Sequence, residues 1–182
     1  MLKTLKKVGI SMLSLLLACS AMTFVPVSAE ETLINKAANE VTVESYSSQC
    51  GGEGEPLEGG GTGQAYATVD YNEDTYWHSN YNTNNGEKHT ITYNLGKEYT
   101  VTSVKFLPRK GLRNGDIHKL EVYVGNNTDY TQNVLTGEYV FATSGTLTEG
   151  QWYTANVAEN GDFVGEYVTI RVTGSYGDTG NN

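Results

Sequence analysis

Apolar and polar residues alternate with a period of two again and again after residue 40, the spacing that sends neighbouring side chains to opposite faces of a β-strand. Val41-Thr42-Val43 opens a first strand. Ile91, Tyr93 and Leu95 alternate with polar neighbours, and Val101, Val104 and Phe106 make another run with one irregular step. Leu120, Val122 and Val124 alternate, as do Tyr139 with Phe141, and Val168 with Ile170 and Val172. Turn-forming clusters separate these runs: Asn84-Asn85-Gly86, Gly111 to Gly115, Gly125-Asn126-Asn127 and Glu159-Asn160-Gly161. No apolar 3.6-residue period is long enough for a substantial helix. Six or more short strands at regular spacing predict an all-β, antiparallel sandwich or jelly roll. Thirteen tyrosines and 21 glycines against three prolines agree with strands joined by many turns.

The first 29 residues read differently. Lys3, Lys6 and Lys7 make a basic start, an apolar run follows from Val8 to Ala18, and Val27-Ser28-Ala29 is a small-residue cleavage signal. That is the layout of a secretory signal peptide, and its apolar core is shorter than the roughly 20 residues of a membrane span. Leu16-Leu17-Ala18-Cys19 also fits a lipidation box, which would anchor the chain through Cys19. The continuation of apolar sequence past Cys19 to the Val-Ser-Ala site favours secretion. Residues 30–40 read as a leader or linker, and 41–182 as one domain.

Charge narrows the range of partners. Loss of the three leader lysines takes the 12 basic residues to 9 against 21 acidic ones, a balance of −12. Nucleic acid and anionic membranes recruit basic patches, so this balance argues against both. Only Cys50 remains after cleavage, which rules out an intramolecular disulfide. Stability must then come from the core, a metal, or both.

In "VDYNEDTYWHSNY", Val69 to Tyr81, the oxygen-bearing residues Asp70, Asn72, Asp74 and Thr75 stand close together. Calcium takes six to eight hard oxygens, which such residues supply. An EF-hand would need glycine where Thr75 stands and a bidentate Glu at Tyr81, so this is not one. Spacing alone leaves a metal loop and a metal-free Asx turn equally open. His78, His89 and His118 share no zinc-ligand spacing. No G-x-S-x-G is present, and Gly51 to Gly63 contains no phosphate-loop motif while carrying Glu53, Glu55 and Glu58. A hydrolase using two carboxylates stays open, because its test is a distance.

Trp77-His78, Pro108-Arg109, Asn114 and Tyr176 lie on turns and have the chemistry of sugar ligands: planar hydrogen-bonding groups, and aromatic faces for the C–H side of a pyranose. Their ordinary alternatives are a core place for Trp77, an acidic partner for Arg109 and a surface place for Tyr176.

"DYNEDTYWHSNY", "HTITYNLGKEYTVTSVKFLPRKG", "RNGDIHKLEVYVG" and "EYVTIRVTGSYGD" resemble, in order and spacing, the discoidin or coagulation factor V/VIII type C domain, and most closely its sugar-binding branch, carbohydrate-binding module family 32. The resemblance runs from Val41 to the last residue. It implies an eight-stranded jelly-roll β-sandwich of the galactose-binding-like kind, with a structural calcium and a sugar site at one end. Carried onto this chain, the calcium ligands are Asp70, Asn72, Thr75 and the Ala67 carbonyl, with Asp74 left as a turn residue. Where the family has a glycine after the first Asp, this chain has Tyr71. The sugar site resembles His78, Arg109 and Asn114, with Glu53 from the first long loop and Tyr176 near the aromatic platform. The family's last strand should follow Asn182, so the domain is expected to lack it.

These readings together imply a secreted, bacterial-type, non-catalytic module that binds terminal galactose-type sugars, part of a larger glycan-active or surface protein. The alternative is an adhesion domain for a host-matrix or cell-wall protein.

Overall fold

The alternating runs become strands in two antiparallel sheets. The computed structural model describes residues 33–34, 40–50, 63–79, 89–111 and 113–177. The stretch read as a signal peptide, most of that read as a leader, Glu53, the Asn84-Asn85-Gly86 cluster and everything after Gly177 lie outside the described residues. Seven strands are present among them: β1 Thr42–Tyr46, β2 Thr90–Thr100, β3 Val104–Phe106, β4 Ile117–Gly125, β5 Val134–Val140, β6 Tyr153–Ala155 and β7 Val164–Ser175. Five form one sheet in the order β1-β2-β7-β4-β5, and β3 pairs with β6 in the other. The helical elements among the described residues are short 3₁₀ turns at Ala65–Thr68, Tyr130–Gln132 and Val157–Asn160. No helix among them is long and apolar enough to cross a membrane.

Register puts the period-two residues to use. Ile91 faces Ile170, Val122 faces Ile170 and Val124 faces Val168 across β2, β7 and β4. These residues join Leu120, Leu95, Ala155 and Val157 in one buried cluster. Trp77 and Phe106 pack against it. Phe106, Phe141 and Tyr153 close one side, with ring centroids 5.0 to 6.0 Å apart. On the opposite face of the large sheet, Thr92 and Thr169 share a buried 2.8 Å hydroxyl bond. Glu121 and Arg171, directly paired across β4 and β7, make a 2.6 Å ion pair there.

Three details depart from the alternation reading. The run Val101–Phe106 is broken: Val101 follows the end of β2, where its N–H donates to the Phe163 carbonyl, and only Val104–Phe106 forms a strand. The strand expected at Tyr139–Phe141 starts earlier, at Val134, and ends at Val140. β6 is three residues long, too short for periodicity to register. In addition Ile34, inside the stretch assigned to the leader, packs against the core.

Candidate functional site

The connections that carry the candidate residues gather where β4 begins and β7 ends. Gly115 N–H donates to the Tyr176 carbonyl and Tyr176 N–H to the Asp116 carbonyl, at 2.9 and 2.8 Å, so the β3–β4 loop is stitched to the exit of β7. The same loop meets the 63–79 segment through two side chains. Lys110 Nζ lies 2.6 Å from Asp74 Oδ1, and the Arg109 guanidinium lies over the Tyr76 ring, 5.2 Å from its centroid.

The 63–79 segment is fixed by main-chain bonds. Cys50 N–H donates to the His78 carbonyl, His78 N–H to the Gly63 carbonyl, and Gly63 N–H to the Tyr76 carbonyl. Gly63 has φ +100°, and a Cβ there would sit 3.1 Å from the Cys50 Cβ. Glycine alone meets both demands easily. Trp77 donates its indole N–H to the Ser48 carbonyl at 2.9 Å and packs on the core, so it is a core residue. His78 is half-buried, with Nδ1 3.4 Å from the Sγ of the buried Cys50.

The 70–75 turn is held by its own oxygens. Asp70 Oδ1 accepts from Asn72 N–H at 2.9 Å, Asp70 Oδ2 accepts from the Thr75 hydroxyl at 2.6 Å, and Asn72 Oδ1 accepts from Asp74 N–H at 3.1 Å. Tyr71 adopts φ +63°, the left-handed region that costs a bulky residue and favours glycine. The turn therefore keeps the conformation a glycine would give it, at the expense of strain at Tyr71. Lys110 engages Asp74 by hydrogen bond and charge and holds its carboxyl below the usual range, while Asp74 raises the Lys110 ammonium in return.

Asp70, Asn72 and Thr75 thus converge as hard oxygen donors within one turn, with Ala67 at the end of the 3₁₀ turn before it. This donor set suits calcium by its chemistry, with a single carboxylate and neutral oxygens. No group of three or more His, Cys, Asp or Glu residues that could hold a metal occurs among the described residues. Behind the turn, Tyr93 on β2 is hydrogen-bonded to Thr68. Burial pushes its hydroxyl up to about 12, against a smaller opposing effect of that bond.

Arg109 Nη2 donates to the Asn114 carbonyl at 3.0 Å, which leaves the flat guanidinium between the Tyr76 ring and the loop tip. The Asn114 side chain lies against Gly177, next to Tyr176. The Tyr176 ring is partly exposed, 6.2 Å from that of His118. Arg109, Asn114 and Tyr176 are therefore neighbours. His78 follows Tyr76 by two residues and has its ring against Cys50, while Glu53 lies outside the described residues.

Four residues that sequence reasoning did not assign shape this end. Tyr76 supports Arg109, and Cys50 contacts His78. Arg113 donates from Nε and Nη2 to Asp116 Oδ2 at 3.0 and 2.8 Å. The available signals were modest: Tyr76 shares an extended-chain face with His78 at spacing two, and Arg113-x-x-Asp116 spans a turn.

The sequence model of the F5/8 type C domain matches residues 43–182. No match occurs among curated protein sequences. Solved structures similar to the chain include the module CpGH89CBM32-5 of Clostridium perfringens, in complex with GalNAc-β-1,3-galactose, at 24% identity and TM-score 0.59 over 76% of this chain and 87% of that one. The family 32 carbohydrate-binding module of C. perfringens NanJ, in complex with galactose, is 26% identical at TM-score 0.55, covering 76% and 85%. CBM32-3 from a C. perfringens family 31 glycoside hydrolase is 18% identical at TM-score 0.65, covering 82% and 86%. The jelly-roll β-sandwich is common to all of them, and the chain belongs to the F5/8 type C (discoidin) domain family.

Proposed function

We propose that this domain is a secreted, non-catalytic module that binds terminal galactose-type sugars on glycans and serves a larger glycan-active or surface protein. The observation that carries the reading is Arg109, whose guanidinium lies over the Tyr76 ring and bonds the Asn114 carbonyl at a loop tip beside Tyr176. A guanidinium held this way is a fixed hydrogen-bond fork, the kind of group that reads ring hydroxyls. Similar modules in complex with galactose and a galactose disaccharide support the choice of sugar. His78, Arg109 and Asn114 would bind hydroxyls, Tyr176 would offer an aromatic face, and Glu53 would supply the acid. A single site of this kind binds weakly, so firm attachment would come from several modules together.

Asp70, Asn72, Thr75 and the Ala67 carbonyl would hold calcium, which when bound crosslinks the turn without touching the sugar. Chelator should then lower the melting temperature by a few degrees, through loss of a ligand of the folded state. An unchanged melting curve would remove the metal.

On a glycan array, wild type should retain galactose-terminated structures, and His78→Ala and Arg109→Ala should each lose about tenfold or more in affinity, about one hydrogen bond. Binding that survives both substitutions would defeat the site. Retention of a matrix protein in place of any glycan would establish the adhesion reading instead.

A further inference from the structure

Two arginines in the β3–β4 loop have opposite surroundings. Arg109 lies at the loop tip. Arg113 is turned inward, and its guanidinium bonds Asp116 Oδ2, the Leu147 carbonyl at 2.7 Å and the Arg109 carbonyl at 3.2 Å, with the more exposed Glu149 carboxylate 3.7 Å from Nη1. The Asp116 carboxylate is almost fully buried, with 1% of its side chain exposed. Its Oδ2 also accepts the Leu147 N–H at 2.9 Å. Both main-chain polar groups of the buried Leu147, its N–H and its carbonyl, are thereby held by the Arg113–Asp116 pair, which joins the β5–β6 loop to the β3–β4 loop. In return Arg109 donates to the Asn114 carbonyl, one residue beyond Arg113. Each arginine therefore bonds the main chain at or beside the other.

We infer that Asp116, acting through Arg113, is a positioning residue for Arg109. Asp116 fixes the Arg113 fork, the fork holds the Arg109 carbonyl, and the guanidinium of Arg109 is thereby set over Tyr76. The inference rests on the reading of Arg109 as the sugar-binding group. The charge pair is suited to this role because Arg113 needs several donors in a fixed plane, which lysine cannot supply.

The test uses the whole chain, methyl β-galactoside as probe and three variants. Arg113→Lys keeps the charge but loses the fork. Arg113→Met combined with Asp116→Leu removes both charges while filling similar volume, a replacement that commonly preserves folding. Glu121→Gln disturbs the distant ion pair on the large sheet as a control. The first two variants should weaken binding about tenfold while staying folded, and the control should bind as wild type. Wild-type affinity in a folded Arg113→Met/Asp116→Leu variant would overturn the inference. A second readout needs no sugar. The Arg109 Nε–H NMR signal, identified by its loss in Arg109→Lys, should move in both loop variants and stay in place in the control. An unmoved signal would overturn the inference. A moved signal in a protein that binds no galactoside would uphold the positioning role and remove the sugar reading.

Discussion

The centre of the large sheet and the loop end of the domain each contain an arginine–carboxylate pair, and the two pairs are built differently. Arg171 and Glu121 face each other across β7 and β4, so register alone brings them together. Both remain partly open to water, at 30% and 17% side-chain exposure. Arg113 and Asp116 are three residues apart in a loop, and the carboxylate is shut away from solvent. The sheet would keep its form without its ion pair, because the buried apolar residues already specify it. At the loop end the Arg113–Asp116 pair bonds main chain of two loops, so polar groups tie the loops together there.

If this contrast is right, damage to the core should affect stability and leave recognition alone. Leu120, fully buried on β4, is the largest case. Leu120→Ala should cost about 2 to 5 kcal/mol in chemical denaturation without weakening galactoside binding by the folded fraction. A parallel loss of affinity would show that the two regions are not separable. Next comes pH. Burial raises the folded pKa of Tyr93 to about 12, above the ordinary tyrosine value of 10.0, so keeping its hydroxyl neutral contributes stability that is complete below pH 10. That stability is lost as pH rises through 12, as the unfolded chain ionises first. The loss is on the order of 2 kcal/mol across the window. Tyr93→Phe should flatten this part of the stability profile relative to wild type, and identical slopes would contradict the burial of the hydroxyl. The smallest effect is expected from Glu121→Gln. As a partly exposed pair its loss should cost no more than about 1 kcal/mol, and a cost of several kcal/mol would erase the distinction between the two ion pairs.

The sheet was legible in the sequence for the reason it is stable. Ile91, Leu120, Val122, Val168 and Ile170 are buried apolar residues that recur at every second position of their strands, so chemistry repeats with the period of the backbone. The 70–75 turn was legible as a cluster of oxygens, and within it the structure pairs Asp74 with Lys110 while Asp70 bonds inside the turn. β6 was not legible, because three residues carry no period. Arg113 and Asp116 were not legible either. Their importance lies in what they touch, Leu147 and the Arg109 carbonyl, and contacts that distant in sequence leave no local pattern. Tyr76 was hidden by Trp77, which as the larger ring draws attention although it belongs to the core.

The place of β7 in the sheet order has a consequence in time. β7 comes last of the described strands in sequence, yet it lies between β2 and β4 and pairs with both. A chain leaving the ribosome from its N-terminus therefore exposes two strand edges that cannot meet their partner until β7 has been made. The sheet can close only late, through contacts of long sequence separation. The half-made protein is the form most open to mispairing.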